Sequence, residues 1–247
     1  MGSAYLRYSF TKGTAQEVAA LIEILELQPG QRVLDVGCGP GRHALAMAAA
    51  GCEVVGIDIS SDFIAQATAT AVEDGLVDKV SFMVGDARAL TFDAEFDAAI
   101  SLCQGAFGLA GGPGSSPRQD RELDEPIMAG IASSLRPGGR LALSAFSAYF
   151  QLRYLEDHDT FDAENGVNHE TTSIRNPEGV EQGVELWTSC FTPRELRLLV
   201  RQVGLTPLAV HGVTPGAYRR QPATIDCPEF LLVAERPRPS TQPLTRR

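Results

Sequence analysis

The chain lacks any apolar run approaching the roughly 18 residues that a membrane-spanning helix needs. Its mean hydropathy of −0.04 agrees with that. Residues Met1 to Phe10 contain no apolar stretch, so no secretory leader is expected. Cysteine is sparse: Cys38, Cys52, Cys103, Cys190 and Cys227 are odd in number, and no two have C-x-x-C spacing. That argues against a disulfide framework or a zinc site and fits a reducing cytoplasm. Positive charge is also short. Lys and Arg total 21 against 31 Asp and Glu, a net charge of −10, which disfavours nucleic acid and anionic membranes as partners. What is present is ordinary globular composition, with 44% hydrophobic and 21% charged residues, and this excludes disordered and collagen-like classes. A chain of 247 residues needs no covalent staple to hold a core.

Thr14 followed by Glu17 has capping-box spacing, and Val18, Leu21, Ile22 and Leu25 then recur at helical intervals up to Pro29-Gly30. Arg32 to Val36 reads as a buried strand, Gly37 to Gly41 as a glycine-rich turn, and Arg42 to Ala50 as a helix closed by Gly51. Further strands are expected at Glu53 to Ile57, Val80 to Val84, Phe96 to Leu102 and Arg140 to Phe146, with helices near Ser61 to Glu73 and Arg121 to Leu135. Gly105 to Ser116 is glycine-rich and reads as a mobile loop. Strands alternating with helices imply an α/β fold, a mostly parallel sheet covered on both faces.

The alternation breaks at residues 147–191, too long for a simple connection. Asn176-Pro177-Glu178-Gly179 is turn chemistry between two extended runs, so this segment reads as an inserted β-hairpin cap. Thr192-Pro193-Arg194-Glu195 opens a helix that ends at Gly204. Leu205 to Val210 and Phe230 to Ala234 are the last strands. The expected organisation is one domain over 1–235, with an N-terminal helix and lid at 1–30 and the cap at 147–191. A flexible tail over 236–247 follows.

The informative string is Val33-Leu34-Asp35-Val36-Gly37-Cys38-Gly39-Pro40-Gly41, between a strand and a helix. Glycines there let backbone approach a ligand, and helix-start N–H groups add polar contacts. A dinucleotide fingerprint would place its third glycine at position 42, where Arg42 stands. Asp58 closes the second strand, where a carboxylate can accept from both hydroxyls of a ribose, and Asp86 follows the third, where it can accept from an adenine amino group. Each alone is compatible with an ordinary helix-start or turn acid. Three acids at the carboxyl ends of three successive strands mark the edge where open α/β sheets bind ligands.

In these residues the chain resembles the class I S-adenosylmethionine-dependent methyltransferases. Asp35-x-Gly37-x-Gly39-x-Gly41 is similar to their first motif, Asp58 to their ribose acid and Asp86 to their adenine acid. Phe96 to Ser101 resembles their fourth strand, and Leu135 to Arg140 the turn before their fifth. The likeness covers roughly Gln31 to Phe146, with a weaker one from Phe191 to Glu235. It implies a Rossmann-like seven-stranded sheet whose last strand runs antiparallel. It also implies methyl transfer from S-adenosylmethionine, with S-adenosylhomocysteine as product. Backbone around Gly37, Cys38 and Gly39 would hold the methionine part, Ile59 and Ala87 would flank adenine, and Leu102 and Cys103 would lie near the amino-acid moiety. Arg42 would pair with the methionine carboxylate, or stand as a solvated helix arginine.

Subclass signatures are missing. Ser101-Leu102-Cys103-Gln104 is unlike the Asp/Asn-Pro-Pro-Tyr of amino-methylating DNA enzymes, Cys103 lacks the preceding proline of cytosine C5 enzymes, and no carboxylate cluster suggests magnesium. The expectation is therefore a small-molecule acceptor methylated on oxygen or nitrogen, without metal, nucleic acid or membrane. Catalytic candidates are His169, as a base on the cap beside Glu170, and Gln104. Phe10, Tyr149, Arg153 and Trp187 are candidate acceptor contacts. His43, His158 and His211 rank below His169. Arg194, Arg197 and Arg201 read as a solvated helix face. Two alternatives stand beside this reading: a non-catalytic S-adenosylmethionine-binding module, and a dinucleotide-dependent reductase.

Overall fold

The computed structural model describes residues 13–103, 105–109, 117–157, 159–175 and 181–239. The elements are α1 (Thr14–Leu25), β1 (Arg32–Val36), α2 (Arg42–Ala49), β2 (Glu53–Asp58), α3 (Ser61–Glu73), β3 (Val80–Val84), β4 (Phe96–Ser101), α4 (Pro117–Ser134) and β5 (Leu135–Ser147). They continue with α5 (Ala148–Arg153), β6 (Thr160–Asp162), β7 (Val167–Arg175), β8 (Glu181–Phe191), α6 (Pro193–Gln202), β9 (Thr206–Val213) and β10 (Glu229–Glu235).

Strands β3, β2, β1, β4 and β5 lie side by side in that order, all parallel. β10 then pairs antiparallel with β5, and β9 antiparallel with β10. This is the expected seven-stranded sheet with one reversed strand. The central strands are apolar on both faces because both faces are covered: Val33, Leu34 and Val36 are fully buried. One hydrophobic layer joins β4 and β5 to α4 and α6 through Phe96, Ile131, Leu141 and Leu196. The other joins β1 to α1 and α2 through Leu21, Val33 and Met47.

The cap is a three-stranded antiparallel ribbon, β6-β7-β8. β8 pairs with β5 only at Phe146 and Ser147. Glu229 of β10 already occupies one edge of Phe146, so β8 takes the other edge, beyond Leu143 where β4 stops. Phe191 stacks on Phe107 at 4.9 Å, and the Ser189 N–H donates to the Gly108 carbonyl. The base of the cap is thereby fixed to the segment after β4, beside the carboxyl edge of the sheet. The expected turn at 176–179 lies outside the described residues.

Three expectations need correction. α1 does not open with a capping box. Gly13 is the N-cap, with no side-chain cap bond, because Thr14 and Glu17 are drawn into contacts with Arg42. The same helix stops at Leu25, where Glu26 turns left-handed (φ 56°), rather than at Pro29. Arg236, where the expected tail begins, is also held in place. Arg236 exchanges backbone bonds with Gly138 and Gly139, and its guanidinium caps the carbonyls of Ser133 and Leu135. No helix among the described residues is long and apolar enough to cross a membrane.

Candidate functional site

The turn after β1 is built from left-handed glycines. The N–H groups of Gly37 and Cys38 both donate to the Ile57 carbonyl, tying the turn to β2. Gly37 (φ 76°) is pressed backbone to backbone against Gly105 after β4, so neither position has room for a side chain. Gly39 (φ 54°) has nothing within 4 Å of where a Cβ would stand. One glycine locks the turn against β4, and the next leaves open space above it.

Asp58, at the end of β2, bridges this turn to α3. Its Oδ2 accepts from the Gly39 N–H at 2.8 Å and its Oδ1 from the Ser60 N–H at 2.9 Å. Ser60 itself caps α3. Each carboxylate oxygen is oriented by one backbone donor and keeps lone pairs for more. The neighbouring Ile59 is 72% exposed, a large apolar side chain left uncovered at the strand end. Register puts Asp58 opposite Val84, and Asp86 comes two residues after it. Asp86 caps the short turn Ala87–Ala89 and is gripped by the Arg88 guanidinium. That side-chain bond, with the Arg88 N–H, holds the Asp86 carboxyl down at about 2.

Asp35 sits one pleat deeper, opposite Gly56. It is 2% exposed, and burial pushes its carboxyl up to about 7, with Arg42 opposing and Asp58 adding to the rise. It accepts from the Ala44 N–H at the start of α2, while its Oδ2 has no hydrogen-bond partner among the described residues. So Asp58 and Asp86 line the rim, and Asp35 stands beneath it, buttressing the helix that follows the turn.

At the end of β4, Leu102 is buried and Cys103 adopts a left-handed φ of 52°, unusual for a residue with a side chain. The Cys103 N–H donates to Ser144 Oγ. Burial pushes its thiol up to about 12, so it is neutral and poorly nucleophilic. Arg42 reaches the same place. Its Nη2 lies 2.8 Å from Cys103 Sγ, while Nη1 donates to Glu17 Oε2 at 2.6 Å and to Thr14 Oγ1 at 3.0 Å. Glu17 is fully buried and also receives His43 Nε2 and the Gly216 N–H. Nothing in the local sequence marks Glu17, Gly105 or Gly216 for this neighbourhood. The only signal, capping-box spacing, pointed elsewhere.

On the cap, His169 and Trp187 face each other across β7 and β8 and stack at 4.4 Å, 10° from parallel. His169 Nε2 lies 4.0 Å from Glu185 Oε1, across the ribbon. Tyr149 is 41% exposed and meets Phe230 edge-on. Arg153 pairs with Asp226 at 2.9 Å on the surface. Phe10, Gln104 and His158 lie outside the described residues.

The Methyltransferase domain family matches residues 33–110, the stretch that carries the turn and the rim acids. The chain is 30% identical over 224 residues to a cypemycin N-terminal methyltransferase of a Streptomyces species, covering 84% of each. It is 34% identical over 137 residues to the 27-O-demethylrifamycin SV methyltransferase of Amycolatopsis mediterranei, covering 55% of this chain and 46% of that one. Among solved structures, the CcbJ methyltransferase of Streptomyces caelestis superposes with a TM-score of 0.72 over 91% of this chain and 89% of that one. At 18% identity, that is a likeness of fold.

Proposed function

This chain belongs to the class I S-adenosylmethionine-dependent methyltransferases, and from that premise we propose that it methylates an oxygen or nitrogen of a small-molecule acceptor. The names of two relatives favour that class, one an N-terminal methyltransferase and one acting on a demethylrifamycin. The net charge of −10 favours it over nucleic acid. The proposal involves no metal.

The observation that carries the cofactor assignment is the Asp58 carboxylate. It is oriented by the Gly39 and Ser60 N–H groups beside open space at Gly39 and an uncovered Ile59. Those are the parts a ribose with an adjoining flat base requires: a two-oxygen acceptor, a clear floor and an apolar wall. Asp58 would accept from the ribose hydroxyls, Asp86 from the adenine amino group, and Ile59 and Ala87 would flank the ring. Gly37, Cys38 and Gly39, with Leu102 and Cys103, would offer backbone to the amino-acid half. Arg42 would face its carboxylate, and Asp35 would hold the turn from below.

When bound, the cofactor supplies a methyl on a positively charged sulfur that departs as a neutral thioether. The chain's task is then alignment, which can contribute about 7–11 kcal/mol. A base is needed only for an acceptor that arrives protonated. His169, stacked on Trp187, is our candidate for that proton. Tyr149 and Arg153 would line the acceptor side, with Arg153 reached only when it leaves Asp226.

Calorimetry with S-adenosylhomocysteine tests the root of this reading, and absence of binding to pure protein refutes it. Asp58→Ala should weaken that binding by about 1.5–3 kcal/mol, the worth of charged hydrogen bonds. Unchanged affinity removes the ribose assignment. Release of S-adenosylhomocysteine with hydroxyl or amine acceptors, scored separately, decides between oxygen and nitrogen.

A further inference from the structure

Resting on the reading that the amino-acid half of the cofactor lies beside the end of β4, we propose that Glu17 is a positioning residue that acts through Arg42. Glu17 stands in α1 with no exposed surface. Its Oε2 accepts from Arg42 Nη1 at 2.6 Å and His43 Nε2 at 2.8 Å, and its Oε1 from the Gly216 N–H at 2.7 Å. Donors from two separate parts of the chain thus hold both oxygens. Burial by itself would favour the protonated form. The His43 bond, the Gly216 N–H and the Arg42 charge outweigh it and hold the carboxyl at about 2. Burial also lowers His43, so its ring is neutral and donates Nε2–H. The result is one buried cation matched by one buried anion.

A guanidinium is planar, so fixing one nitrogen from two sides fixes the plane. Glu17 and Thr14 hold Nη1, and Nη2 is thereby directed to Cys103, next to the Gly37–Gly105 contact. The order needed at that edge is established during folding, so an incoming carboxylate meets an oriented partner. The bond to Gly216, 199 residues away in sequence, and the packing of Gly13 on Gly216 keep α1 in place.

The test uses the full chain and two probes. S-adenosylhomocysteine carries the amino-acid half, and 5′-methylthioadenosine has the same nucleoside and thioether without it. In Glu17→Gln, affinity for the first should fall at least about tenfold while the second stays within about twofold, since the loss is of an oriented charge contact. Equal weakening of both probes means that Glu17 only supports the fold, and overturns the proposal. Arg42→Gln should show the same selective loss, and adding Glu17→Gln to it should cost nothing further. Additive losses also overturn it. If Glu17→Gln alone does not fold, the double variant, which leaves neither buried charge unmatched, is compared with Arg42→Gln, and the same two outcomes apply. Wild-type protein that binds neither probe refutes the cofactor assignment itself. Wild-type protein that binds both, with equal losses in the variant, refutes only the positioning role.

Discussion

Thr14-x-x-Glu17 and Thr192-x-x-Glu195 spell the same local signal and end in different structures. At α6 the signal is obeyed. Thr192 Oγ1 accepts from the Glu195 N–H at 3.2 Å, and Glu195 Oε2 accepts from the Thr192 N–H at 3.4 Å. At α1 it is overridden. Gly13 takes the cap with φ 110°, which shifts the helix start by one residue. The Thr14 hydroxyl then accepts from Arg42, and the Glu17 carboxylate accepts from Arg42, His43 and Gly216. The difference lies in what each carboxylate faces. Glu195 is part-exposed beside its own helix end, where a cap contributes about 1 kcal/mol. Glu17 faces an interior that offers a guanidinium, and a hydrogen bond to a charged group contributes about 1.5–3 kcal/mol.

The strongest way to break this contrast is one pair of matched truncations. Glu17→Ala leaves Arg42 buried without its anion and should cost about 3–5 kcal/mol in denaturant unfolding. A loss below about 1 kcal/mol would put it on a par with an ordinary cap and erase the distinction. Acid titration sharpens it. The folded-state carboxyl of Glu17 lies below its ordinary value of 4.5, at about 2. Its contribution is therefore complete above pH 4.5 and lost as pH falls toward 2. The stability gap between wild type and Glu17→Gln should narrow across that window, and a gap that is flat there contradicts the depressed value. Next in size, Thr192→Ala should cost about 1 kcal/mol and leave the affinity for S-adenosylhomocysteine as it was, so a changed affinity would mean α6 reaches the site. The smallest effect is expected from Glu195→Gln. The reciprocal bond survives, and only the charge at the helix start is lost, about 0.3–1 kcal/mol by thermal unfolding. A cost equal to that of Glu17→Gln would show that the two sites do not differ in kind.

Much of the fold was legible because its signals are local. Buried strands read as short apolar runs, and Gly37, Gly39 and Gly41 announced a turn that needs left-handed backbone. Thr192-Pro193 opened α6 as expected, and Ser61 to Glu73 is helical as read. The rim was legible for the same reason. Asp58 closes β2 and Asp86 comes two residues after β3, and parallel register brings those strand ends level. Legibility ended where a partner is distant in sequence. Arg153 read as an acceptor contact, yet its head sits on Asp226. The three-residue strand β6 is too short for any periodicity.

Chain order, alternating period and glycine spacing were enough to specify the layered sheet and the strand ends where the glycine turn and Asp58 lie, because each depends on residues within a few positions of one another. Which carboxylate becomes a cap and which becomes half of a buried ion pair was settled only by folding. Glu17 meets Arg42 and Gly216 across 25 and 199 residues. Water leaves that junction only when the layers close, and only then does a charge gain more from a distant partner than from its own helix end.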